Sequence, residues 1–251
     1  FMMLEDFGDD LLLNAVLRTA DEDLDRAYAP AIEGLIQLAR ADPSDLPPYD
    51  AALLRSEMAL FPEWFCEAQL GVRFDSAASA GFEDVMSFLV ASAVEQPSVF
   101  VHRDYHSRNL MVVDGGPLGV IDFQDAVRGP VTYDLVSLVK DCYVRLRRPL
   151  VERVAEKLLD ALSQTNGLSL PDLPTFLRWM DLMGLQRHIK CAGIFSRLNL
   201  RDGKPGYLGD IPLVFRYIRE TASRFEELQD FDAWLAALAP KVAALERKAS
   251  G

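Results

Sequence analysis

Apolar residues recur at every third or fourth position along most of this 251-residue chain, which is the pattern of amphipathic helices. Between residues 22 and 41, Leu24, Ala31 and Leu35 lie on one such face, and Pro43 marks the end of the segment. The same periodicity predicts further helices over residues 10–19, 50–59, 62–70, 79–94, 132–146, 149–164, 173–199, 211–226 and 230–248. The pattern therefore predicts a mainly helical protein.

The periodicity changes near residue 98. The run 98–101 is short and rich in β-forming residues, and two more such runs cover 109–113 and 118–121. The turn sequence Asp114-Gly115-Gly116 separates the last two, so we predict a β-hairpin over residues 110–121. Strand patterns are almost absent elsewhere, and Gly129-Pro130 is expected to start a helix after a loop. The prediction is an α+β fold with one small β element.

Charge and composition narrow the classes of partner. The chain has 38 acidic and 26 basic residues and a formal net charge of -12, which repels phosphate backbones and argues against nucleic acid. No apolar run reaches the roughly 20 residues that span a bilayer, and no signal segment opens the chain, so no membrane partner is expected. Three dispersed cysteines without a CxxC pair favour a reducing compartment. We expect a cytoplasmic protein.

Polar residues concentrate on both sides of the predicted hairpin. The segment His102–Asn109 precedes it, and Asp122 follows its second strand. Phosphoryl transfer requires Mg²⁺, which prefers oxygen ligands, and a carboxylate that orients the acceptor hydroxyl. Asp104, Asn109 and Asp122 are suitable groups, and their order matches the H-R-D-x-x-x-x-N and later Asp of kinases. Gln124 stands where protein kinases have Gly, and no Ala-Pro-Glu follows, which favours a small-molecule kinase.

These motifs, with the segments 121–126, 129–135 and 186–190, resemble those of the aminoglycoside phosphotransferase and choline kinase-like superfamily. Within it they are most similar to bacterial kinases that phosphorylate the anomeric hydroxyl of N-acetylmuramate and N-acetylglucosamine in cell-wall recycling. The resemblance implies a protein kinase-like fold, represented mainly by the α-helical C-terminal lobe with its small catalytic β-hairpin. It also implies a small-molecule substrate, with ATP and Mg²⁺ as cofactors.

The resemblance divides the chain into residues 1–8, the end of an N-terminal lobe and its hinge, and residues 9–251, the catalytic lobe. The apolar start, Phe1 to Leu4, resembles the end of a strand, and we interpret the chain as a fragment without most of the N-terminal lobe. The alternative is a natural start at Met2 or Met3. If the lobe that grips the phosphates is missing, this chain alone is expected to be a poor enzyme.

The resemblance also implies roles for individual residues. Asp104 is the general base or the group that orients the acceptor hydroxyl, and Asn109 and Asp122 bind magnesium. The catalytic loop is held by His102 and Arg103, and anchored from behind by Asp134. The hinge whose backbone pairs with adenine comprises Glu5, Asp6 and Phe7.

The acceptor-binding residues leave alternatives open. Tyr105 and His106 follow the base and either shape the substrate pocket or pack in the interior. The basic cluster Arg187, His188 and Lys190 either forms a solvated helix face or contacts a sugar, its lactyl carboxylate or a phosphate. One candidate partner for sugar hydroxyls is Glu57, for which a structural role in the helix is the alternative.

Two other functions remain alternatives. The same mechanism serves an aminoglycoside, choline, homoserine or fructosamine acceptor. A kinase-like binding module without activity is the alternative from another class, although the intact Asp104, Asn109 and Asp122 argue against it.

Overall fold

Helices form most of the protein in a computed structural model that describes residues 5–113, 115–165 and 167–249. The α-helices are α1 Leu12–Leu17, α2 Leu24–Arg40, α3 Ala51–Met58, α4 Ser76–Val94, α5 Tyr133–Val139, α6 Arg148–Ser163, α7 Leu173–Leu200, α8 Ile211–Ala222 and α9 Gln229–Ala249. A π-helix covers Phe61–Gln69, and short 3₁₀ helices lie at Asp21–Asp23, Pro205–Asp210 and Glu226–Leu228. The predicted helices are thus present, except that the helix after Thr132 ends at Val139, well before the expected residue 146.

Four short strands lie in the middle of the chain: β1 Ser98–Val101, β2 Leu110–Met111, β3 Gly119–Val120 and β4 Val127–Pro130. The predicted hairpin is confirmed, because β2 and β3 pair antiparallel with Leu110 opposite Val120. Asp114 of its predicted turn lies outside the described residues. Strand β4 pairs antiparallel with β1, so the expectation of a helix start at Gly129-Pro130 is wrong. Pro130 is tolerated there because β1 and β4 form a two-stranded sheet, so β4 is an edge strand.

The chain forms two compact units, and each consists of two separate stretches of sequence. The first unit takes residues 1–48 and 97–180, and the second takes residues 49–96 and 181–251. The boundary near residue 180 falls inside α7. The sequence-based division into residues 1–8 and 9–251 stays a prediction, and residues 1–4 of its first part lie outside the described residues.

The first unit packs α2 against α6 and β1. Its interior contains the fully buried side chains of Tyr28, Tyr105 and Tyr133. The Tyr105 hydroxyl donates a hydrogen bond to the backbone oxygen of Ala31 in α2, at 2.9 Å. A Cβ atom at Gly34, one turn after Ala31, would lie 2.6 Å from that hydroxyl. Glycine at this position therefore lets the Tyr105 ring approach α2. These contacts hold the catalytic segment against α2.

The second unit has an aromatic interior. Phe61 and Phe65, in the π-helix, stack with ring centroids 4.9 Å apart, and both side chains are fully buried. The amide of Leu70 bonds to the carbonyl oxygen of Phe65, five residues earlier, which gives this segment its wider turn. Gly193 of α7 lies so close to Leu60 that a Cβ atom there would be 2.6 Å from the Leu60 carbonyl carbon.

One helix in the described part of the chain, α4, is long and apolar enough by composition to cross a bilayer. Its mean hydropathy is 1.3. Core helices of soluble proteins pass the same test, so one such helix is weak evidence for a membrane span.

Candidate active site

The catalytic segment begins where β1 ends, and the carboxylate of Asp134 fixes its first residues. Asp134 accepts hydrogen bonds from the backbone amides of His102, at 2.6 Å, and Arg103, at 3.0 Å. Its side chain is only 3% exposed and lies in the first turn of α5, where the helix dipole favours a negative charge. Arg103 has a φ of +74°, a left-handed conformation that costs about 1–3 kcal/mol. The two charge-assisted bonds offset that strain, as the implied anchoring role of Asp134 requires.

We expect Asp134→Asn to lower kcat by about tenfold to hundredfold, because a small displacement of a catalytic group is enough to cause such losses. The new amide would place an N–H₂ group against one of two backbone N–H donors, so one of these bonds is lost. The acceptor KM should change much less than kcat, because the acceptor-contacting side chains are untouched. Steady-state kinetics on variants that unfold at similar denaturant concentration would check this, and an unchanged kcat would rule out the positioning role.

The structure brings Asn109 and Asp122 together. The Asn109 amide nitrogen lies 3.1 Å from the backbone oxygen of Asp104 and 3.5 Å from the Asp122 carboxylate. The backbone also joins them, because the Ile121 amide donates to the Asn109 carbonyl at 3.1 Å. In both side-chain contacts Asn109 uses its amide nitrogen as the donor. Its amide oxygen therefore remains available as a metal ligand. The three predicted catalytic residues therefore form one local cluster.

Asp122 has an unusual backbone and a neighbour that sequence analysis passed over. Its φ is +67°, and within the described residues Arg103 is the other non-glycine residue with a positive φ. Gln124, noted only as a departure from the kinase pattern, donates from its amide to the Asp122 carboxylate at 2.8 Å. This bond fixes the direction of the Asp122 side chain, which is otherwise exposed to solvent.

The Asn109 and Asp122 oxygens fit the needs of Mg²⁺, which takes hard oxygen ligands and keeps several waters. No group of three or more His, Cys, Asp and Glu side chains suited to a metal occurs in the part of the chain that the structure describes. A transition-metal centre would use such a cluster, whereas one carboxylate and one amide are typical of a nucleotide-bound Mg²⁺.

His102 has the properties of a neutral loop residue. Its side chain is buried, and burial lowers the pKa of the imidazole, although the nearby carboxylates of Asp104 and Asp122 oppose the shift. The ring is therefore uncharged at pH 7. This supports a role in holding the loop rather than a role as a general acid. Arg103 contributes through its side chain as well, since the guanidinium donates to the backbone oxygen of Asp125 at 3.4 Å.

Tyr105 and His106, the two residues of the catalytic segment that were predicted to contact the acceptor, both have partners within the protein. Burial of the Tyr105 hydroxyl against α2 raises its pKa and favours packing over substrate contact. The His106 ring packs edge-on against Tyr143, with centroids 5.4 Å apart. The Arg108 guanidinium also lies over the Tyr143 ring, 3.7 Å from its centroid. Substrate contact for Tyr105 and His106 stays a prediction.

A second support of the loop was missed by sequence analysis. The Ser107 hydroxyl donates to the Asp141 carboxylate at 2.5 Å, and both side chains are fully buried. Asp141 also accepts from the amides of Tyr143 and Val144, at 2.9 and 2.7 Å. Nothing in the local sequence distinguishes Asp141 from a surface acid, because the contact spans 34 residues.

The predicted hinge residues lie beside the hairpin. The Phe7 ring packs on β3, where a Cβ atom at Gly119 would lie 2.7 Å from it. The Asp6 carboxylate accepts a hydrogen bond from the Gly8 amide at 2.9 Å, and Glu5 is exposed. Adenine pairing by Glu5, Asp6 and Phe7 remains a prediction.

In the second unit, the predicted substrate residues Glu57 and Lys190 form an ion pair, with 3.0 Å between the Lys190 ammonium and the Glu57 carboxylate. Both side chains are more than nine-tenths buried. Tyr49 donates a short hydrogen bond to the same carboxylate, and the Gln186 amide lies 3.4 Å from it. This polar cluster is internal to the unit, so substrate contact by either charged residue stays a prediction.

Arg187 and His188 are also buried, with exposures of 3% and 0%. Of the two alternatives for the basic cluster, a solvated helix face is therefore wrong. His188 stacks on Tyr217 with centroids 4.6 Å apart. Periodicity could not predict the burial of these residues. Polar residues lie on several faces of α7, and most of those faces are buried.

Comparison with known proteins gives a consistent result. The model of the phosphotransferase enzyme family (APH) matches residues 10–179. A Pseudomonas aeruginosa protein named N-acetylmuramate/N-acetylglucosamine kinase is 43% identical over 239 residues, which covers 95% of this chain and 70% of that protein.

Two solved structures share the fold. Plasmodium vivax ethanolamine kinase superposes with a TM-score of 0.55 at 14% identity, covering 80% of this chain and 61% of that one. The ADP-bound aminoglycoside phosphotransferase APH(2'')-Ib gives 0.51 at 15% identity, covering 85% and 70%. The predicted kinase-like α+β fold is confirmed.

Proposed function

The chain belongs to the phosphotransferase enzyme family, and on this basis we propose that it transfers the γ-phosphoryl group of ATP to the anomeric hydroxyl of an amino sugar, N-acetylmuramate or N-acetylglucosamine. The observation that carries the proposal is the position of Asp104 and Asn109 on a loop held by Asp134, with Asp122, just after β3, beside Asn109. The name of the Pseudomonas relative supports the acceptor. The chain spans about 70% of that relative, so the activity of the whole protein is part of the proposal.

In this mechanism the residues position the reactants and balance charge. Mg²⁺, held by Asn109 and Asp122, would neutralise the triphosphate. The acceptor hydroxyl donates a hydrogen bond to the Asp104 carboxylate. Its oxygen forms a bond to the γ-phosphorus as the bond to the β–γ bridging oxygen breaks. The hydroxyl proton passes to Asp104, and ADP leaves with the bridging oxygen.

Asp104 suits this role by its location. It is half-buried, and its backbone oxygen accepts from both the His106 amide and the Asn109 side chain. The carboxylate is thereby carried on a tight turn with little freedom to move. A base that is already oriented saves the entropy of ordering it during the reaction. Adenine pairing by the backbone of residues 5–7 and a cytoplasmic location, where ATP is supplied, complete the proposal.

Acceptor binding by the polar cluster Glu57, Gln186 and Lys190 of the second unit is a further part of the proposal. A buried ion pair such as Glu57–Lys190 seldom adds stability over an apolar pair of the same volume, because both charges lose their hydration. The amide oxygen of Gln186 is buried and accepts no hydrogen bond from the residues that the structure describes. Carboxylate, ammonium and amide groups are the partners that sugar hydroxyl and acetamido groups require.

An acceptor panel tests the proposal. ADP release is measured with N-acetylmuramate, N-acetylglucosamine and their methyl glycosides, in which the anomeric oxygen is blocked. Kanamycin, choline, homoserine and fructosamine represent the alternative acceptors. The assay is run on the 251-residue chain and on the full gene product, including any residues encoded before Phe1. We expect turnover with the two free sugars and none with their glycosides. Turnover with the glycosides, or only with an amine, would contradict the proposed acceptor.

A further inference from the structure

A cavity of about 590 Å³ opens in the second unit, between the start of α4 and the start of α9. This volume lies in the range of small-molecule sites. None of the residues predicted for catalysis or acceptor binding lines it. The cavity therefore shares no lining residue with the candidate active site, and its chemistry is independent of the proposed function.

Aromatic rings form its wall. Phe74 contacts Phe82 and Trp234 edge-on, with centroid distances of 5.7 and 5.4 Å. The Phe231 ring completes the wall, with its centroid 6.0 Å from that of Phe82 and 6.1 Å from that of Trp234. Phe82 and Phe231 are buried, while Phe74 and Trp234 are half-buried. The wall thus offers both ring faces and ring edges to an occupant.

Carboxylates surround these rings. Asp75, Asp84, Glu227 and Asp230 line the cavity, against a single guanidinium from Arg73. Asp75 also caps α4 by accepting from the Ala78 amide, at 2.9 Å. Within the residues that the structure describes, Asp84 and Asp230 form no ion pair. The opening therefore carries excess negative charge beside aromatic faces.

We propose that this cavity, the aromatic–acidic pocket, binds an organic cation that has an apolar body. Aromatic faces attract a cation through their quadrupole, and the surrounding carboxylates add to that attraction. An anion would be repelled by the four carboxylates. A neutral apolar molecule would remove water from the carboxylates without replacing their hydrogen bonds or charge.

The small residues on α4 leave the space that such a ligand needs. Ala77, Ala78 and Gly81 line the cavity. A Cβ atom at Gly81 would meet no atom within 4 Å. This vacancy suggests a variant, Gly81→Leu, that would fill the pocket from a helical position. Because glycine costs about 1 kcal/mol in a helix interior, the substitution should not lower the stability of α4.

The test uses benzyltrimethylammonium and its neutral isostere neopentylbenzene. Binding is followed by the indole N–H signals of the three tryptophans in NMR spectra, with Trp234 assigned from Trp234→Phe. We expect the cation to shift the Trp234 signal saturably and to leave that of Trp179 in place. The isostere should bind about tenfold more weakly. Equal affinities for the two compounds, or no shift of the Trp234 signal, would overturn the proposal.

Two variants and a control that removes a single carboxylate elsewhere complete the test. Asp84→Asn combined with Asp230→Asn should weaken binding of benzyltrimethylammonium by about tenfold, since two nearby charges are lost. Asp160→Asn, which removes an exposed carboxylate of α6 in the first unit, should leave the affinity unchanged. Gly81→Leu should abolish the Trp234 shift while the protein stays folded. An Asp84/Asp230 variant that binds like the parent would also overturn the proposal.

Discussion

Asp104→Asn is expected to lower kcat for phosphoryl transfer by about 10²- to 10⁴-fold, the usual contribution of a positioned general base. The amide keeps the size of the side chain but cannot accept the acceptor proton while remaining neutral. Because Asp104 is carried on the turn fixed by Asn109 and Asp134, the substitution should not move the loop. Rapid-quench and steady-state measurements with the preferred sugar would give kcat directly.

Two comparisons separate loss of the base from general damage. KM for ATP should stay close to the parent value, and the variant should unfold at a similar denaturant concentration. Asp160→Asn serves as the matched control, since it removes one exposed carboxylate far along the sequence. If the Asp104→Asn variant turned over at the parent rate, Asp104 would have no role as a general base.

Asp122→Asn is expected to lower kcat/KM by about a hundredfold or more, since loss of a metal-held charge costs several kcal/mol of transition-state stabilisation. The variant should also need a higher Mg²⁺ concentration for half-maximal rate. Gln124→Ala should show the same shift in smaller measure, because it only releases the hydrogen bond that directs Asp122. Rates over a Mg²⁺ titration, with Mn²⁺ binding followed by electron paramagnetic resonance, would check both.

Asp45→Asn is the control for this series, because it removes an exposed carboxylate of the first unit outside the site. Its Mg²⁺ dependence should match that of the parent. An Asp122→Asn variant with parent affinity for Mn²⁺ would show that the metal ligands lie elsewhere. Asn109→Ala should then also be neutral, which gives the series an independent second result.

The local parts of the candidate site were predictable, because the loop and the hairpin are close in sequence. Asp104, Asn109 and Asp122 lie within 19 consecutive residues, and the hairpin between them forces their side chains together. Strand β4 was not predictable from its composition, since glycine and proline are poor strand residues. Its pairing with β1 decides the conformation, and that partner is about thirty residues away.

Contacts between distant residues account for most of what sequence analysis missed. Asp141 supports Ser107 across 34 residues, and Glu57 meets Gln186 across 129. Arg187 and His188 lie in a stretch of α7, residues 179–193, in which every residue is buried, and the pattern could not distinguish its polar positions from surface. Periodicity reports the environment of one face of a helix, and it fails where neighbours surround the helix.

The interleaved order of the two units has a consequence for synthesis on the ribosome. The first unit needs residues up to 180, yet its opening stretch ends at residue 48. At about 5–20 residues per second, the nascent chain waits roughly 7–26 s between these points. For most of that interval α2 lacks α6, one of the helices against which it packs. Because each unit is built from two separate stretches, neither unit can be obtained by simple truncation of the chain.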